Sequence, residues 1–300
     1  MIRKITYLFL LCIFSIMSQA QTVPHNSLYM FNDLVTNPAV CGTKAYDVVF
    51  LSHRNQWSGF EGAPETQFLS YTRNQGERIG LGASLFNDVT GPITTTGIQL
   101  SYGYNVYFSS DYRLSLGLSG SASQYVFDGN KAQLYDDIYD PAAPGTIEKT
   151  LVRDATFGTY LYNDRHYIGI SIPQLIQSKI DISNDKHLAR HYFIHSGYHF
   201  TLHNKFDVDP SVMLKATDAS PLQYDMNIRI TYDKKFWGGI SYRDEDAMVV
   251  MFGLDYNNYI FGYSFDHTLS EINTYTNGSH SILIGYKFLR QVKLDDTSDW

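Results

Sequence analysis

Thiols are almost missing from this chain of 300 residues, which carries only Cys12 and Cys41. Cys12 lies in the leader-like first residues, and a lone Cys41 can form neither an intramolecular disulfide nor a thiolate metal cluster. Charge is scarce too. Charged residues make up 18% of the chain and the formal net charge is −7, which argues against nucleic acid as a partner. After residue 20 no stretch approaches the ~18 consecutive apolar residues of a membrane helix. A mature chain in a membrane must then be a closed barrel, because backbone groups in lipid need partners within the protein. Catalytic signatures are absent as well: there is no Gly-x-Ser-x-Gly elbow, no His-Glu-x-x-His and no phosphate-binding glycine loop. Gly80-Leu81-Gly82 lacks the third glycine and the helix of a dinucleotide site. The expectation is a non-enzyme with no cofactor and no metal.

What is present begins with a leader. Arg3 and Lys4 precede the apolar run from Ile5 to Met17, and Ser18-Gln19-Ala20 has the small-x-small pattern of a cleavage site. Residues 1–20 are therefore expected to be a signal peptide, with the mature chain starting at Gln21.

Aromatics reach 15%, with 24 tyrosines. The mean hydropathy of −0.23 resembles that of a soluble protein, yet a barrel averages to such a value because lipid-facing and lumen-facing residues alternate. Strict alternation runs through the chain. Ile98, Leu100, Tyr102, Tyr104, Val106 and Phe108 interleave with Gln99, Ser101, Gly103, Asn105 and Tyr107. Leu114, Leu116 and Leu118 interleave with Ser115, Gly117 and Ser119, and Leu222, Tyr224, Met226, Ile228 and Ile230 with Gln223, Asp225, Asn227 and Arg229. Period two predicts strands with one apolar and one polar face. The polar faces hold small, mostly uncharged residues, which suits a lumen.

Short turn-like connections recur near Asn74, Ser110, Asn163, Asn204, Lys234 and Asn257. Between them lie longer ones at 59–65, 87–95, 127–150, 173–189, 216–221, 243–246 and 266–278. Short turns on one side and long loops on the other is the habit of outer-membrane barrels, with the short turns periplasmic. The fold predicted is all-β: a single antiparallel transmembrane barrel of about 14 strands over residues 44–289. A periplasmic N-terminal segment at 21–43 precedes it and a short periplasmic tail at 290–300 follows. Tyr104, Tyr107, Phe108, Tyr160, Tyr162, Phe236, Trp237, Tyr256 and Tyr259 are expected in interface girdles, and Arg54 with Trp57 as an interface anchor.

Two polar groupings invite a chemical reading. His187, His191, His195, His199 and His203 recur every four residues. On a strand such neighbours are about 13 Å apart, so they predict a lumen-lining row, not a shared metal. Asp136, Asp137 and Asp140, like Asp244-Glu245-Asp246, lack the spacing of a calcium loop and read as solvated loops.

The ordered strings of the chain are similar to one family. They are Tyr29-Met30-Phe31-Asn32, then Asn37-Pro38-Ala39 and Gly42, HRNQWSGFEGAP from His53, GLGASLFNDVTGP from Gly80, YIGISIPQLI from Tyr167, HYFIHSGYHF from His191, FWGGISYRDEDA from Phe236 and FGYSFDHT from Phe261. In that order they resemble the PorP/SprF outer-membrane proteins of the Bacteroidetes type IX secretion system. The departures are Cys41, where another small residue is usual, and Ser281 after His280, where Glu is. The resemblance implies an outer-membrane accessory barrel in type IX secretion and gliding, assisting export or surface anchoring of specific secreted proteins such as large adhesins. Its implied partners are membrane lipid, the C-terminal domain of a secreted surface protein, and periplasmic or outer-membrane secretion components.

A tyrosine- and aspartate-rich loop is the candidate grip: Tyr135, Asp136, Asp137, Tyr139 and Asp140. The alternative is an outer-membrane solute channel or transporter. A plugged transporter is disfavoured, since only roughly 25 residues precede the first predicted strand, too few for a folded domain.

Overall fold

The computed structural model describes residues 26–131, 147–180, 186–218 and 220–289. They form one antiparallel sheet closed on itself, beside a separate two-stranded ladder of Lys179–Ile180 with Lys186–His187. Its strands are β1 (Asp47–Asn55), β2 (Glu65–Gln75), β3 (Ile79–Thr90), β4 (Ile93–Tyr107), β5 (Arg113–Asp128), β6 (Ile147–Tyr162) and β7 (His166–Ile172). Then come β8 (His191–Tyr198, resuming after His199 as Phe200–Leu202), β9 (Phe206–Thr217), β10 (Ser220–Tyr232), β11 (Phe236–Arg243), β12 (Ala247–Tyr256), β13 (Tyr259–Thr268) and β14 (Ser279–Phe288). Each strand pairs with its sequence neighbour, and β14 pairs with β1 over Asp47–Asn55 to close the wall. With the interrupted β8 counted once, the barrel has fourteen strands, as the alternation predicts.

The wall is inside-out relative to a soluble protein. Leu100, Leu118, Leu151, Met226, Ile240, Val250 and Phe252 point outward and are each about half exposed. Ser70, Ser101, Ser119, Ser241, Ser264 and Ser281 point inward and are buried. A continuous apolar belt of this extent belongs in hydrocarbon, not water.

One end of the barrel carries short turns at 76–78, 108–112, 163–165, 203–205, 233–235 and 257–258. Asp233 and Lys234 both have φ near +50°, the twist that a tight hairpin needs. The other end is less regular than expected. Connections 56–64, 173–190 and 269–278 are long, but β3 runs to Thr90 and β4 starts at Ile93, so only Gly91-Pro92 remains of the loop expected at 87–95. Likewise β9 runs to Thr217 and β10 starts at Ser220, within the loop expected at 216–221. Thr94-Thr95-Thr96 and Val89 suit strands, and the extra pairing absorbs the loop. The wall is consequently uneven: β5 and β6 have 16 residues each and β7 only 7.

The girdle is corrected in part. Tyr104, Phe108, Phe236, Tyr256 and Tyr259 face outward, whereas Tyr160, Tyr162 and Trp237 share the lumen face. Arg54 is no interface anchor; it is buried in the lumen. The reason is parity, since each lies one residue out of step with the outward series of its strand.

Candidate functional site

Residues 26–44 fill the lumen. The segment expected as a periplasmic extension has no core of its own, but it uses the barrel wall as one. Its two short 3-10 turns, Asp33–Val35 and Pro38–Val40, leave Leu28, Leu34, Ala39, Val40 and Cys41 almost wholly buried. It meets the wall on every side.

Near the long-loop end, Ser27 sits in a buried charge cluster. Its hydroxyl donates to Asp266 Oδ2 at 2.6 Å and accepts from Arg54 Nη1 at 2.9 Å and Arg243 Nη2 at 3.1 Å. Arg54 also pairs with Asp266 at 2.9 Å, Arg243 with Asp246 at 2.9 Å, and Lys215 with Asp225 at 2.8 Å. Arg243, Asp225 and Asp266 are each 1% exposed. Ions this deep persist only when mutually compensated, so the cluster and Ser27 hold each other in place. Asp246 was expected in a solvated loop; it is recruited by Arg243 instead.

Midway down, Asn227 donates to the Tyr29 hydroxyl at 2.6 Å and Ser70 to Asn32 at 2.7 Å. Leu28 packs into an apolar part of the wall made by Val48, Phe50, Trp237, Val249, Met251, Ile260 and Leu283. Phe31 packs against Trp237 with centroids 4.6 Å apart and ring planes tilted by 39°, and lies under Arg229.

Toward the short-turn end the wall becomes glycine. Gly80 and Gly103 abut the Cys41 carbonyl, Gly117 the Ala39 amide, and Gly158 the Asn37 side chain. A Cβ at any of them would overlap the segment, so these strands let the segment's backbone lie directly on theirs. Asn37 is the central fastener. It accepts from the Ala39 amide at 2.9 Å, donates to the Thr159 carbonyl at 3.1 Å and meets His195 Nε2 at 3.2 Å. Ser171 adds a bond to the Thr36 carbonyl at 2.7 Å. Cys41 is fully buried, and burial, with Asp33 adding to it, pushes its thiol up to about 12. A cavity of about 870 Å³ opens beside Lys44, Tyr107, Tyr112, Arg113 and Tyr162 at this end.

Of the histidine row, His191 and His195 are buried on the lumen face, His199 pairs with Asp209 at 2.6 Å where β8 breaks, and His203 lies in a short turn. Among the described residues no three His, Cys, Asp or Glu come together as a metal site. Tyr135, Asp136, Asp137, Tyr139 and Asp140 lie outside the described residues. Sequence reasoning missed Ser27, Asn37 and the glycine track. A signal was there: Gly80, Gly103, Gly117 and Gly158 all fall at lumen parity.

A wall built around its own N-terminal segment accounts for the early motifs of the chain, Asn37-Pro38-Ala39 among them. The family model for the type IX secretion system membrane protein PorP/SprF matches residues 18–286. The chain belongs to that family. It is an outer-membrane protein, with the family and fold of a non-enzymatic membrane barrel. No curated protein matches the sequence. In fold it is similar to the Ralstonia pickettii toluene transporter TbuX, with a TM-score of 0.54 and 9% identity over 85% of this chain and 92% of that one. It is also similar to the CymD monoaromatic hydrocarbon channel, with a TM-score of 0.53 and 10% identity over 88% and 94%. At such identities the PorP/SprF chain shares their barrel and nothing more specific.

Proposed function

We propose that this PorP/SprF barrel is an accessory of type IX secretion that retains or helps export particular secreted proteins, large adhesins among them, by gripping their C-terminal domain at the long-loop end. One observation carries the reading: the lumen is occupied by the protein's own N-terminal segment, fastened from the buried charge cluster down to the glycine track. A wall so filled leaves the rims as the working surfaces. On this reading the short-turn end is periplasmic and faces secretion components, and the long-loop end faces outward. The transported compounds in the names of its fold relatives favour solute passage instead, but only at the level of shared fold.

The test replaces residues 132–146, which contain Tyr135, Asp136, Asp137, Tyr139 and Asp140, with a short Gly-Ser turn in the native bacterium. Loop shortening costs little stability, so the barrel should keep its heat-modifiable migration. The cell-surface share of specific secreted proteins should fall while their share in the medium rises. An unchanged surface proteome, both in this strain and in a full deletion, removes the reading and advances solute transport.

A further inference from the structure

Charge on the lipid-facing side of a barrel is costly at mid-depth and tolerated toward the ends. Of the lysines and arginines on the described strands, only Arg73, Lys149 and Arg153 have outward parity. Arg73 lies at the short-turn end and pairs with Asp47 at 4.0 Å. Lys149 and Arg153 are exposed on one face of β6, roughly 13 Å apart along the strand. Neither has an ionic partner among the described residues, and Ser178 engages only the backbone carbonyl of Arg153. The long-loop connections that do not flank β6 carry no Lys or Arg; their charges are Glu61, Asp218, Asp244, Glu245, Asp246 and Glu271. Positive charge at this end is therefore confined to one sector of the wall.

β6 ends at Tyr162 on the short-turn rim. A tilted strand crosses the hydrocarbon in about 10 residues, so Arg153 comes at the far boundary and Lys149 beyond it. Leu151, between them, still faces acyl chains, while the long stems of the two cations carry their heads into the headgroup layer. Below Arg153, toward mid-bilayer, the wall is indented. Ala122 is the cross-strand neighbour of Arg153, and Gly120 with Ala155 forms the next outward pair. Nothing lies within 4 Å of a Cβ on Gly120. Leu100, Tyr102 and Leu118 border the resulting recess of about 470 Å³.

We infer that this face of β4 to β6 binds a phosphorylated glycolipid of the outer leaflet, with phosphates on Arg153 and Lys149 and an acyl chain in the recess at Gly120. Contacts of guanidinium and ammonium with phosphate are charge-assisted and strong. Two cations this far apart call for a headgroup that is anionic at two points, which a phospholipid with a single phosphate does not offer. The leaflet rests on the outward orientation of the long-loop end in the proposed function; the placing of two cations above an apolar recess does not.

The test titrates the intact barrel, stripped of lipid in a nonionic detergent, with bis-phosphorylated lipid A and counts bound lipid by native mass spectrometry. One lipid should stay on each barrel. Lys149→Glu with Arg153→Glu should weaken its retention at least roughly tenfold, and dephosphorylated lipid A should bind the unaltered barrel as poorly. Gly120→Phe should weaken retention with both cations in place. Heat-modifiable migration checks that each variant is folded. Equal retention by the charge-reversed barrel, equal binding of phosphatidylglycerol, or no retained lipid A overturns the proposal. So does retention that appears only after residues 132–146 are removed, because the acidic residues of that loop would then hold the cations. If lipid A binds as stated but deletion of the barrel leaves every secreted protein in place, the lipid site stands and the proposed function fails.

Discussion

Gly117 and Gly120 share β5 and face opposite ways. A Cβ on Gly117 would meet the backbone of Pro38 and Ala39, whereas nothing lies within 4 Å of one on Gly120. Gly117→Val should therefore lift the N-terminal segment off the wall at a cost of about 1–3 kcal/mol, and Gly120→Val should not. Cys41 reports the difference. Its buried thiol, raised to about 12, should resist maleimide at pH 8 in the native protein and in Gly120→Val, and should label readily in Gly117→Val. Equal labelling of the two variants would place the segment elsewhere. Both glycines are plain in the sequence, but their opposite surroundings are not, because alternation tells which face a residue takes and not what fills the space beyond it.

At the scale of one strand, β10 separates the two environments residue by residue. Ile228 is 40% exposed toward lipid and Asn227 is 7% exposed toward Tyr29. Arg at Ile228 should cost about 2–4 kcal/mol near the bilayer midplane, measured by reversible unfolding in lipid. Arg at Asn227 would displace the Tyr29 contact, so its penalty should come with exposure of Cys41, which Ile228→Arg should leave buried. If both variants expose Cys41, wall and filling do not respond separately. The same strand shows how far parity carries: Leu222, Met226, Ile228 and Ile230 face outward, and Asp225, Asn227 and Arg229 inward, as alternation predicts.

The molecule as a whole is a tube with an uneven rim and an occupied centre. Ion pairs at the long-loop end, ring contacts in the middle and glycine contacts at the short-turn end hold one segment along the lumen, and no single one of them secures it. Planar bilayers make this measurable. The intact protein should give little steady conductance, and removal of residues 26–44 should give large, stable openings if the emptied wall stays closed. Steady current through the intact protein would mean that the filled lumen still conducts, and would favour the solute reading.

The local pattern was enough to specify fourteen alternating strands, their facing and the tight hairpins, because each depends on neighbours in the chain and on a period of two. The fate of residues 26–44 depends on contacts across long sequence separations: Ser27 with Asp266, Tyr29 with Asn227, Asn37 with His195. A short polar stretch without a core of its own looks like a tail until closure of the wall surrounds it with partners.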